Sequence, residues 1–280
     1  MLSGYAQDAA PPVTSAFVRL AADTGGSAEP TTMPSRREMT QLVERGPLAG
    51  FIDTVKRDAK RAPGELWADA KRVYTDPGNL LILGVAGGAS IALRPEVDDD
   101  IEDYYHKHHT FKEDWRDAFG AAGNPAVHFA VAGVMYLAGQ QLPDTKTYEV
   151  GRTLFSALII NSVSTSLLKL ATCTEAPNGE NWAWPSGHTS STMTLAAVMH
   201  EAYGIWAGLP LYGLTTFVAW ERLDSGEHHF SDVVFGAAMG WVIGHTVAAG
   251  RRPGIFGGEL IPYADANSGN AGIAWVKSLD

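Results

Sequence analysis

Ala118–Pro143 reads AFGAAGNPAVHFAVAGVMYLAGQQLP, 26 positions without a formal charge. Its apolar residues do not alternate with polar ones at the period of a half-buried strand, so the run reads as helix. Similar uncharged runs lie on either side: Pro77–Leu93, Thr153–Leu168, Ala202–Trp220 and Val233–Gly250. Their breaks carry helix-ending residues, among them Gly78, Pro125, Pro143, Gly204 and Pro210. Sustained strand alternation is found nowhere, and no segment repeats at a period of 20–50 residues. The expected fold is all-α, a helical bundle of about six main helices with a site between helix ends.

Outside these runs the texture differs. Residues 1–50 are rich in Ala, Pro, Thr, Ser and Gly and read as a flexible N-terminal arm. Met1–Gln7 has no basic region and no long apolar region after it, so a full secretory signal is not expected. Residues 51–117 read as N-terminal helices. Phe51, Ile52, Val55, Leu66, Trp67, Ala70 and Val73 recur at helical spacing with charge between them. That suggests amphipathic helices broken near Pro63, resting on a core or a membrane surface. Residues 94–117 are strongly charged, and residues 251–280 read as a C-terminal tail.

The chain has 280 residues, is 45% hydrophobic and carries a formal net charge of −10 from 21 basic and 31 acidic side chains. This balance argues against general nucleic-acid binding, which needs a basic footprint. An anionic substrate must be drawn in by local positive charge. The single cysteine, Cys173, excludes a disulfide framework and a multi-cysteine zinc site, and it reads as a small buried side chain. A bilayer span needs about 20 mostly apolar residues. The uncharged runs approach that length but are diluted by Gly, Ser, Thr, Asn and His, and mean hydropathy is −0.06. Both a soluble bundle and a weakly hydrophobic membrane bundle fit, and the soluble or peripheral form is placed slightly ahead.

Three segments carry chemistry: KLATCTEAP at 169–177, WPSGHTS at 184–190 and RLDSGEHHFSD at 222–232. In the second, Ser186 can cap the helix that follows, whose first N–H groups lack intrahelical partners and form an anion site. Gly187 lets an oxyanion approach the backbone, and His188 sits at the rim, placed for proton transfer. In the third, His228 and Asp232 are four apart, one turn along if the chain is helical from Phe230. Asp232 can then fix the imidazole tautomer and leave the other nitrogen free to attack or ligate. Arg222 offers a planar fork for phosphate oxygens. His229 points elsewhere and reads as structural or rim. Lys169, after the apolar run SALIINSVSTSLL, is either a helix-end cation or a phosphate ligand. Alone, each segment is also an ordinary helix start or a surface pair.

Together and in this order, the segments resemble the type 2 phosphatidic acid phosphatase and vanadium haloperoxidase superfamily, whose pattern is K-x6-R-P, P-S-G-H and S-R-x5-H-x3-D. The resemblance spans about residues 118–250, read as the phosphatase core, and includes the Gly123-Asn124 helix start. It implies that Lys169, Ser186, Gly187 and Arg222 bind phosphate. His228 would be the nucleophile, His188 the general acid and Asp232 the carboxylate that orients His228. Two positions depart from the pattern: Ala176 stands at the first motif's arginine and Glu221 at the serine before Arg222. Arg152 is a candidate substitute cation. The implied function is metal-independent hydrolysis of a lipid phosphate or other phosphomonoester or diphosphate through a phosphohistidine, with no cofactor. A location in the cell envelope, periplasmic or membrane-associated, goes with it. The resemblance also permits a vanadium-dependent haloperoxidase, vanadate being a phosphate mimic. A degenerate protein that only binds phospholipid headgroups is the third reading.

Overall fold

The computed structural model describes residues 46–142, 145–251, 259–265 and 270–276. The arm read over 1–50 lies outside the described residues up to position 45, as does Pro143. The helices are α1 (Gly46–Thr75), α2 (Pro77–Leu93), α3 (Asp99–Lys107), α4 (Glu113–Gly123), α5 (Pro125–Gly139), α6 (Lys146–Thr172), α7 (Gly187–Tyr203), α8 (Ile205–Asp224) and α9 (Phe230–Gly250). A π-helical turn, Arg94–Asp98, joins α2 to α3. The fold is all-α. It holds more helices than the six main ones expected because α3 and α4 are short and charged, and reading apolar runs cannot find such segments.

Local chemistry sets the boundaries. Asp76 caps α2 by accepting from the Asn79 N–H at 2.9 Å, with Pro77 in the first turn. Asn124 caps α5 in the same way through the Ala126 N–H, again followed by proline. This cap divides the 26-residue uncharged run into the end of α4 and the whole of α5. Pro63 does not break α1, contrary to expectation. Pro63 and Ala59 are both exposed, so water can satisfy the carbonyl that the missing N–H abandons. Pro210 likewise sits inside α8, on its exposed side, rather than ending a helix. Cys173 is exposed, not buried, because it ends α6 in the left-handed conformation at φ 47°. The expected tail contains an antiparallel hairpin, β1 (Glu259–Asp265) with β2 (Asn270–Val276), in the register Glu259↔Val276 to Asp265↔Asn270. Seven-residue strands were too short for their alternation to stand out.

The core is a bundle in which α9 packs on α7 and α2, α8 on α7, and α5 on α6. Leu154, Leu158, Val198, Met239, Val242 and Ile243 are buried in it. At the α7–α9 contact the backbones meet. A Cβ at Gly236 or Gly244 would stand 2.8 or 2.7 Å from the carbonyl oxygens of Ser186 and Thr194, and one at Gly240 would run into that of Ser190. Small residues four apart allow this approach.

Among the described residues, three stretches are long and apolar enough to cross a membrane: Pro77–Lys107, Lys146–Thr172 and Phe230–Gly250. Along α2, Leu81, Val85 and Ile91 are 67, 64 and 73% exposed. A row of large apolar side chains on a helix face is costly in water and favourable in lipid. These stretches support membrane association, in line with the expected envelope location, and weigh against the soluble half of the soluble or peripheral form placed ahead. Averaging the charged connecting segments with the helices had hidden the apolar stretches.

Candidate active site

The site gathers at one end of the bundle, where α6 stops and α7 and α9 begin. Ser186 caps α7, its Oγ accepting from the Thr189 N–H at 3.4 Å and donating to Thr189 Oγ1 at 3.1 Å. Its own N–H donates to the Asp232 carbonyl at 3.1 Å. Ser186 is fully buried, with both donors engaged inside the protein. The N–H groups of Gly187 and His188, the first two of α7, have no intrahelical acceptor. Beyond Gly187 there is room, since a Cβ there would meet only Thr165 at 3.7 Å.

Asp232 sits in the first turn of α9 and is 1% exposed. Its Oδ2 accepts from the His229 backbone N–H at 3.0 Å and lies 3.3 Å from Nδ1 of His228. That contact engages Nδ1 and leaves Nε2 as the other ring nitrogen of His228. His229 is the N-cap of α9, and its ring pairs with Glu102 at 3.3 Å, a structural position as expected. The turn between α8 and α9 brings His228 back under Arg222. Gly226 adopts φ 70°, and the N–H groups of Glu227 and His228 both donate to the Arg222 carbonyl.

Arg222 is buried and held by two carboxylates. Its Nε donates to Glu221 at 2.5 Å and its Nη1 to Glu227. Glu221, where serine was expected, is therefore a partner of the guanidinium. Lys169, in the last turn of α6, donates from Nζ to the carbonyls of Trp182 and Ala183. Arg152 does not replace the arginine absent at Ala176. It pairs with Glu65 at 2.7 Å and Glu149 at 3.2 Å. It is also 17 residues before Lys169 on α6, about 25 Å along the helix.

His188 and Arg222 line a cavity of about 570 Å³. His228 lines a neighbouring one of about 220 Å³, and Ser225 lines both. The two histidines share one electrostatic environment. Burial pushes His188 down to about 4, with Arg222, His228, His128 and Lys169 adding to the effect. Burial also holds His228 below its ordinary value, outweighing the opposite pull of Asp232. Both imidazoles are neutral at pH 7 before substrate binds.

Some supporting residues escaped the sequence reading. His128 is buried and bridges Ser191 Oγ at 3.0 Å and the Ala122 carbonyl at 2.9 Å, tying α5 to α7 behind His188. Asp98 accepts from the N–H and Oγ of Ser231 at 2.8 and 2.6 Å and anchors the start of α9. The single histidine inside the uncharged run Ala118–Pro143 was the signal for His128. Asp98 lay among other acidic residues and had none.

The chain matches the PAP2 superfamily over residues 81–252. It belongs to that superfamily. This bears out the resemblance carried by the three motifs. Over 65 residues it is 34% identical to the lipid A 1-phosphatase of Porphyromonas gingivalis, a stretch covering 22% of this chain and 15% of that protein. Among solved structures, LpxE of Aquifex aeolicus aligns with a TM-score of 0.46 and 18% identity over 54% of this chain and 93% of that one. A transmembrane PAP2 type phosphatidylglycerolphosphate phosphatase from Bacillus subtilis aligns with a TM-score of 0.44 and 12% identity over 67% and 92%.

Proposed function

We propose that this PAP2 protein hydrolyses a lipid phosphate at the membrane surface of the cell envelope, through a phosphohistidine on His228. The observation that carries the reading is the buried His228–Asp232 contact at 3.3 Å, set within the fields of Lys169 and Arg222. A neutral imidazole oriented by a carboxylate is a nucleophile without a metal. Nε2 attacks phosphorus as the P–O bond to the leaving group breaks. Lys169, Arg222 and the amides of Gly187 and His188 hold the equatorial oxygens. A bound phosphate dianion opposes the burial and the neighbouring cations that together depress His188, so the imidazole gains a proton on binding and gives it to the departing alkoxide. Neutral again, His188 takes a proton from water as that water attacks phosphorus and the N–P bond breaks.

Two observations support a lipid substrate. Apolar helix faces are exposed beside the site, and a local match exists to a protein named for a lipid A phosphate. The test is phosphate release from a panel of lipid and soluble phosphate esters, with and without detergent. Turnover of lipid esters that is lost in His228→Ala supports the reading, and turnover retained in that variant removes His228 as nucleophile. Halide oxidation by the protein with vanadate and peroxide would move the chain to the haloperoxidase branch. Ester binding without turnover would make it a headgroup-binding protein.

A further inference from the structure

The motif pattern leaves this site one guanidinium short at Ala176, and Arg222 is already committed to two carboxylates. The geometry points to Arg116 on α4 as the missing cation: we propose that it contacts the phosphate of the substrate directly. The inference rests on the phosphate-ester reading above and adds a residue outside the three motifs.

The placement follows from one face of α4. Arg116, Gly120 and Gly123 recur at the helical spacing of i, i+4 and i+7. A Cβ at Gly120 would stand 2.8 Å from Nη2 of Arg222, and one at Gly123 would stand 3.3 Å from Cδ2 of His188. The face carrying Arg116 is thus the face laid against the acid–base histidine and the site arginine. Arg116 lines the same 570 Å³ cavity as both. It is half-buried and, among the described residues, has no ion pair or side-chain hydrogen bond.

None of the carboxylates around that cavity is within ion-pair distance of Arg116 among the described residues. Glu221 and Glu227 are bound to Arg222. Glu113 and Asp117 flank Arg116 on α4 but are exposed, where water screens them. An uncommitted guanidinium on the wall of a partly closed cavity suits a phosphate dianion, which it can grip with two parallel N–H groups.

The test is binding of orthovanadate and of inorganic phosphate to the full chain in detergent, measured by calorimetry for the parent protein, Arg116→Gln and Arg116→Lys. Removing one charge-assisted contact is expected to raise both Kd values about tenfold or more, with lysine recovering part of the loss. Melting temperatures should match, since Arg116 has no partner to lose, and the lysine variant keeps the charge if glutamine perturbs folding. Kd values within twofold of the parent in Arg116→Gln overturn the inference. A parent that binds vanadate, yields to the Arg116 substitution and hydrolyses no ester sinks the proposed function and leaves Arg116 as an anion ligand. A parent that binds neither anion sinks both.

Discussion

Nε of Arg222 lies 2.5 Å from Oε2 of Glu221, the residue beside it in the chain. Glu221 is only 1% exposed, and the contact compensates for burying its carboxylate. Glu221→Gln leaves Arg222 with Glu227 alone. Breaking a buried pair costs about 3–5 kcal/mol, and the surviving partner should cut this to about 2 kcal/mol. Thermal unfolding in detergent should show a clear drop in midpoint; an unchanged midpoint would mean that the pair stabilises nothing.

Asp232→Asn keeps the shape of the side chain but removes the charge that selects the His228 tautomer. The expected loss in kcat is on the order of a thousandfold or more, as for other carboxylate-oriented histidines. Turnover on the preferred ester measures it, and a loss smaller than tenfold would remove Asp232 from the orienting role.

His188 and His228 both lie below the ordinary imidazole value in the folded chain. An unfolded chain binds protons at these positions below about pH 6.5, while folded His188 resists until about 4. Stability contributed by the neutral rings is present above pH 6.5 and is lost as the pH falls toward 4. The melting temperature should decline across that window, less steeply in His188→Asn. The acid limb of kcat/KM should also lie below pH 6.5, because free His228 stays neutral there. An acid limb above pH 6.5 contradicts the assignment.

Gly120→Ala places a methyl group 2.8 Å from the end of the Arg222 side chain. Arg222 is buried and bound to Glu221 and Glu227, so it can move aside only by straining those pairs, and the melting temperature should fall. The guanidinium would leave its position, and kcat/KM should fall about tenfold to a hundredfold. Equal activity in the two proteins would show that Arg222 acts from a range of positions.

The helices were legible because charge is absent over long runs: Pro77 and Leu93 bound both an uncharged run and a helix. Proline was read too strictly. At Pro63 and Pro210 an exposed helix face tolerates the lost hydrogen bond, and a sequence does not state which face a residue will take. The motifs named residues that the fold brings to one end of the bundle, because each lies within a few residues of a helix end that its own neighbours define. The partners of those residues were not legible. Arg116 precedes Arg222 by 106 residues, and its relation to the site exists only once α4 lies on α8. Glu221 was visible only as a departure, because its contact with Arg222 depends on how the end of α8 is buried.

The backbone contact of Gly236, Gly240 and Gly244 with α7 bears on how this enzyme could be altered. At these three glycines the helix that carries His188 meets the backbone of the helix that begins beside His228, so any added side chain there would push the two helices apart at once. A designer seeking new substrates has no dial there. Freedom lies on α4, whose cavity-facing Arg116 borders His188 and Arg222 without setting the distance between His188 and His228. Libraries at that position should change what enters the cavity while leaving the spacing of the two histidines.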